Sequence, residues 1–162
     1  MTNFKFIFLI VIIGFFSAFA GLYFSKNQTP SIDTPKTEIF FNSIIKDKHN
    51  KKFSLSQYKN KWLLVNFWAT WCAPCREEIP ELNKLFKNNK DVHLVAIAID
   101  EIEAVNKFLT KTPIHYESLI SNDIKGVEIS KSLGNDRGVL PFTVLIKPNG
   151  KIQEVFFGKL NM

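Results

Sequence analysis

Cysteine is scarce in this chain, with two among 162 residues, at positions 72 and 75. Two cysteines build neither a four-cysteine zinc site nor a multi-bridge disulfide framework. Arg76, not a histidine, follows Cys75, which excludes a Cys-x-x-Cys-His haem-attachment site. Histidine is almost as rare, and His49, His93 and His115 show none of the i,i+4 pairing that places two imidazoles on one zinc ion. No metal centre and no cofactor are expected. Arginine is also rare, because 19 of the 21 basic residues are lysines scattered along the sequence. The formal charge of +6 therefore lacks the clustered, arginine-bearing stripe of a nucleic-acid reader, and no nucleic-acid partner is expected. There is no internal repeat.

Charge is missing altogether from Phe6 to Phe24, a run of 19 residues. At about 1.5 Å per residue such a run nearly crosses a hydrocarbon core of roughly 30 Å. It reads as an export segment and as contact with a membrane. Ala18-Phe19-Ala20 also has the small-x-small form of a signal-peptidase site, so cleavage after Ala20 is the alternative. The run continues past that site to Phe24, and this length favours an uncleaved anchor. Residues 26–36 are polar and carry Pro30 and Pro35, the composition of a flexible tether. The expected organisation is a signal anchor or signal peptide over 1–25, the tether over 26–36 and one domain over 37–162. Both readings of the leader put that domain outside the cytoplasm, in the periplasm of a Gram-negative cell.

What the chain does have is Trp71-Cys72-Ala73-Pro74-Cys75, between the apolar run Trp62 to Trp68 and a segment of helical spacing from Arg76 to Asn88. A thiol at a helix N-terminus faces unpaired backbone N–H groups and the positive end of the dipole. These favour the thiolate and can bring a thiol pKa from about 8.5 to roughly 3.5–7.5. A bridge across so short a loop gains little chain entropy, on the order of 2 kcal/mol or less, which argues against a purely structural staple. The pair reads as a redox dithiol. A peroxidase reading is weak, because no separate peroxidatic cysteine exists.

Around the pair the pattern alternates strand and helix. Glu38 to Phe41 and Ser43 to Ile45 have strand-like composition ahead of a polar turn at 46–52, which predicts an N-terminal β-hairpin. Ser54 is placed to cap one helical turn. The unbroken apolar run at 62–68 suits a central strand covered on both faces. In the helix after the cysteines Ile79, Leu82, Leu85 and Phe86 form a core face, with Pro80 inside it. A second central strand spans Val92 to Ile99, and Asp100 is expected to cap a helix over 101–111. Tyr116 to Ile120 reads as a short strand. Ile124 to Leu133 reads as a helix with Val127, Ile129 and Leu133 inward and Gly134 as its stop. Asn149-Gly150 joins two β-rich runs as a closing hairpin.

The stretch Val65 to Pro80, VNFWATWCAPCREEIP, closely resembles the active-site region of the TlpA/ResA group of exported thiol-disulfide oxidoreductases. The likeness extends over about Glu38 to Gly158 and includes Gly138-Val139-Leu140-Pro141. It implies a thioredoxin fold of the α/β class, a central mixed β-sheet flanked by helices, with the N-terminal hairpin as an extension. It also implies that Cys72 is the nucleophile and Cys75 the resolving thiol. The residues give the same order, since Cys72 sits at the helix entry and Cys75 one turn in.

By the same resemblance, Pro141 follows a cis peptide bond and packs beside the dithiol. Leu140 is then turned outward, and Trp71, Leu140 and Pro141 position the substrate. Glu78, one helical turn after Cys75, would tune the thiols by charge repulsion and relay a proton; a solvated first-turn glutamate is the plainer reading. Asn66 departs from many thioredoxins, which carry an acid there. Arg76 and Arg137 flank the two motifs, either by chance on a solvated surface or as a border favouring an acidic or haem-propionate-bearing partner. Thioredoxin-fold domains usually close with a helix, whereas only 159–162 follow Gly158 here. One sheet face is expected to be thin or covered by another element.

The expected function is reduction of disulfides in exported proteins, among them the haem-site cysteines of apocytochromes c, with electrons from a membrane thiol carrier. A disulfide-forming oxidase and a non-enzymatic assembly factor using the Leu140-Pro141 groove are the alternatives.

Overall fold

The computed structural model describes residues 35–122 and 124–160. The apolar run at 6–24 and most of the tether lie outside these. Among the described residues no helix is long and apolar enough to cross a membrane.

Two features of strand β3 (Trp62–Trp68) organise the sheet. Its residues are apolar on both faces, and they alternate between two hydrophobic clusters. Leu63, Val65 and Phe67 enter one cluster, whereas Leu64 and Trp68 enter the other. The period of two puts Asn66 on the second face, with Leu64 and Trp68. On β3's flanks lie β4 (Val92–Ala98), parallel to it, and β6 (Phe142–Ile146), antiparallel, with Asn66 opposite Thr143. Next to β4 runs the parallel β5 (Glu117–Ile120), and next to β6 the antiparallel β7 (Ile152–Phe157). Beyond β5 come β1 (Ile44–Asp47) and β2 (Lys52–Ser54). The described residues thus form a seven-stranded mixed sheet in the order β2-β1-β5-β4-β3-β6-β7.

Helices cover both faces. Phe40 and Phe41 of α1 (Pro35–Phe41) and Ile129 of α4 (Ile124–Ser132) pack into the first cluster. Into the second go Cys75, Ile79 and Leu82 of α2 (Ala73–Asn88) and Val105 of α3 (Ile102–Leu109). The central strand covered on both sides, the helix after the cysteines and the closing hairpin follow the pattern read from the sequence.

Several expectations are corrected. Glu38 to Phe41 is helical: its β-prone composition yields to packing that buries Phe40 and Phe41 edge to face, 5.1 Å apart. Thr37 Oγ1 further ties this helix to Gly150 O at 2.7 Å. The antiparallel pair in this region is instead β1 with β2, in the register Ile45 to Phe53. Ser54 does accept a hydrogen bond from Ser56 N, at the start of a 3₁₀ turn over Leu55–Tyr58. Asp100 does not cap α3, whose N-cap is Glu101 with no side-chain bond. Val127 is exposed, and Gly126 and Ser130 take inward places that the apolar pattern assigned elsewhere. Gly134, at φ 108°, follows α4 in the left-handed region that favours glycine.

An apolar groove of about 190 Å³ lies over the second face between Leu64, Leu85, Phe86, Val92, Leu94 and Leu145.

Candidate active site

The end of β3 delivers the chain to the cysteines through a braced loop. Thr70 donates from its N–H and its hydroxyl to Asp100 Oδ2 at 2.8 and 2.5 Å, and Ile99 N–H donates to Trp68 O at 2.9 Å. The Asp100 carboxylate, expected as a helix cap, thus fixes the turn that presents Trp71 and Cys72. Cys72 is the N-cap of α2, with Pro74 in the helix's first turn, and its Sγ accepts the N–H of Cys75 at 3.3 Å. A sulfur in that position receives the donors that the first helical turn leaves unpaired. Cys72 and Cys75 are joined in a disulfide with Cα atoms 5.3 Å apart.

The surroundings are asymmetric. Trp71 is 68% exposed, Cys72 is 6% exposed and Cys75 is fully buried. Leu140–Pro141 is a cis peptide bond, Pro141 is buried, and Pro141 O accepts the N–H of Gly158 at 2.8 Å. Leu140 is half-buried and packs against both clusters, including the one that holds the cysteines, so it is not turned outward as expected.

Glu78 is fully buried, in contrast to a solvated first-turn glutamate. Its Oε1 accepts from Asn66 Nδ2 at 2.8 Å, and its Oε2 from the N–H of Leu160 at 3.1 Å. Burial pushes the carboxyl above its ordinary range; the Leu160 N–H, the Asn66 amide and the Lys159 charge pull it partly back. The Tyr116 hydroxyl is itself raised, by burial first and by the Glu78 charge second. Arg76 is exposed and donates to Thr70 O at 2.8 Å, while Arg137 lies on the surface near Val139 and Phe157.

A family model described as the AhpC/TSA family matches residues 30–155. Thiol-disulfide oxidoreductase ResA of Bacillus cereus (strain ATCC 10987 / NRS 248) is 34% identical over 158 residues, covering 94% of this chain and 86% of that one. The chain belongs to the ResA thiol-disulfide oxidoreductases of the AhpC/TSA family. ResA of Bacillus subtilis (strain 168) is 31% identical over 122 residues, covering 74% of this chain and 65% of its own. Among solved structures, a thioredoxin-related protein from Neisseria meningitidis serogroup B matches with a TM-score of 0.66 at 36% identity, over 74% of this chain and 90% of that one. MTB dsbF matches with a TM-score of 0.65 at 21% identity, over 76% of this chain and 89% of that one, which shows the shared fold alone.

As a ResA-type enzyme the chain performs thiol-disulfide exchange on protein disulfides, and Cys72 and Cys75 are its Cys-x-x-Cys pair. The structure brings Cys72, Cys75 and Leu140 into one cluster and sets Glu78 on the same helix, one turn beyond Cys75. Trp71 stands at the rim. Sequence reasoning missed the donors that hold Glu78. Asn66 and Thr143 stand opposite each other as polar residues in otherwise apolar strands, and that shared oddity was the available signal. The Leu160 N–H, a backbone group, left none.

Proposed function

We propose that the protein reduces disulfides in extracytoplasmic proteins, tethered to a membrane by its N-terminal segment. The observation that carries the direction is the burial of Glu78 one helical turn from Cys75. A disulfide couple becomes strongly oxidising when its reduced thiolate is stabilised, as in DsbA. A buried carboxyl beside the pair opposes that stabilisation by like-charge repulsion and so favours a reductant.

In the reduced enzyme the Cys72 thiolate, favoured at the helix N-terminus, attacks one sulfur of the substrate disulfide. A Cys72–substrate bond forms and the other substrate sulfur leaves as a thiolate, which takes up a proton. Cys75 then gives its proton to Glu78 and attacks Cys72 Sγ, closing the Cys72–Cys75 disulfide and releasing the second substrate thiol. Two electrons pass from enzyme to substrate. Trp71 meets the substrate chain at the rim, and the cis Leu140–Pro141 segment beside the dithiol positions it. The oxidised pair is returned to the dithiol by a membrane thiol carrier. Oxidised Cys-x-x-Cys-His sites of apocytochromes c are substrates of suitable chemistry, by resemblance to the group.

Trapping tests the assignment. Cys75→Ser should accumulate a mixed disulfide between Cys72 and a substrate peptide carrying a Cys-x-x-Cys bridge, visible by mass spectrometry. Cys72→Ser should not. Equal trapping by both variants would contradict the order of attack.

A further inference from the structure

Three consecutive residues after β7 are fastened to the active site. Gly158, at φ 82°, turns the chain back from the strand, and its N–H donates to Pro141 O at 2.8 Å. Lys159 Nζ lies 3.0 Å from Glu77 Oε2. Leu160 donates its N–H to Glu78 Oε2 at 3.1 Å, and its side chain packs on the cluster that holds both cysteines. Only glycine readily takes that turn, because the left-handed region penalises a Cβ. The strap therefore links the cis-proline and the buried acid.

On the other side of the carboxyl, Asn66 Nδ2 donates both to Glu78 Oε1 at 2.8 Å and to Thr143 Oγ1 at 3.0 Å. The register that pairs Asn66 with Thr143 fixes this arrangement. We propose that Asn66 and the backbone N–H of Leu160 are positioning residues for Glu78, one holding each carboxyl oxygen, so that the strap after β7 completes the active site.

The inference rests on Glu78 being the group that serves Cys75. A buried carboxyl with no donors stays protonated and cannot accept a proton; N–H donors on both oxygens favour the carboxylate and set its plane. The groups around it are Cys75 one turn back on its own helix, Asn66 from the sheet with Thr143 bonded behind it, the raised Tyr116 hydroxyl and Lys159 of the strap. Lys159 and Tyr116 are the titratable ones besides Cys75. Working in the disulfide form removes the cysteines from the titration.

The experiment is a pH titration of the full chain in its disulfide form, labelled with ¹³C at the glutamate carboxyl carbons, with the Glu78 signal assigned by its loss in Glu78→Gln. Asn66→Ala and Leu160→Pro each remove one donor, and each should raise the proton affinity of Glu78 about 10-fold, one pH unit in midpoint. Leu160→Ala keeps the N–H and thins the cover, so its midpoint should stay or fall. The proposal is overturned if either donor-removing variant titrates within twofold of the wild type. It is equally overturned if Leu160→Ala rises as far as Leu160→Pro, which would assign the effect to packing. The readout is independent of substrate reduction. A failure here leaves the trapping result standing, and a failure of trapping leaves this one.

Discussion

Glu78 is buried one helical turn from Cys75, and the role proposed for it rests on that burial. The carboxyl's ordinary value is 4.5, and burial raises it in the folded protein. The sign for stability follows from which state holds the proton. The folded state keeps it more firmly than the unfolded chain, so the contribution of Glu78 to stability is fully present below pH 4.5 and is lost as pH rises through the raised value. Melting of the disulfide form of Glu78→Gln and of wild type across that range should show the variant gaining relative Tm as pH rises. A constant difference would contradict the sign. On the proposed role, Glu78→Gln would remove the proton acceptor for Cys75 and should slow the resolving step about 100-fold while leaving the first attack by Cys72 little changed. Rapid-mixing measurement of mixed-disulfide decay checks this. The Cys72–Cys75 pair was legible in the sequence as spacing, whereas the role of Glu78 came from the family resemblance. Helical spacing sets Glu78, not Glu77, on the face of Cys75, Ile79 and Leu82, but the expectation that a charged first-turn side chain stays solvated concealed its full burial.

At the scale of elements, β3 and α2 carry the site and the connections around them hold it in register. β3 was readable because a seven-residue apolar strand has few other uses than a sheet centre. The helix α1 was not, since Ile39-Phe40-Phe41 has the composition of a strand and is helical only because its rings are buried against the first cluster. Asp100 was read as a cap, a local use for an aspartate after a strand, whereas its oxygen reaches back to Thr70. Asp100→Ala leaves the N–H of Thr70 without that acceptor and should destabilise the fold by about 1–3 kcal/mol in chemical denaturation. An unchanged midpoint would show that water replaces the carboxylate. Leu82 is fully buried on the core face of α2, so Leu82→Ala should lower stability by about 2–5 kcal/mol, with loss of the helix that presents Cys72 as temperature rises.

For the molecule as a whole, the sheet separates two cores and assigns the redox chemistry to one of them. The face under α2 and α3 holds the cysteines and Asn66, and the strap reaches it from β7. The central strands and the closing hairpin were legible from hydrophobic runs and Asn149-Gly150 and the mixed sheet from the family resemblance, whereas the strap was not, since its decisive bond is made by a main-chain N–H. A reducing couple requires that the fold stabilise the disulfide form relative to the dithiol, by the thermodynamic cycle that links redox and folding equilibria. The oxidised protein should therefore melt above the reduced one. The central claim is the direction of electron flow, and equilibrium titration of the Cys72–Cys75 couple against glutathione tests it most directly. A reductase should have a potential near the roughly −270 mV of thioredoxin; a value near the roughly −120 mV of DsbA would contradict the proposed direction and make the protein an oxidase.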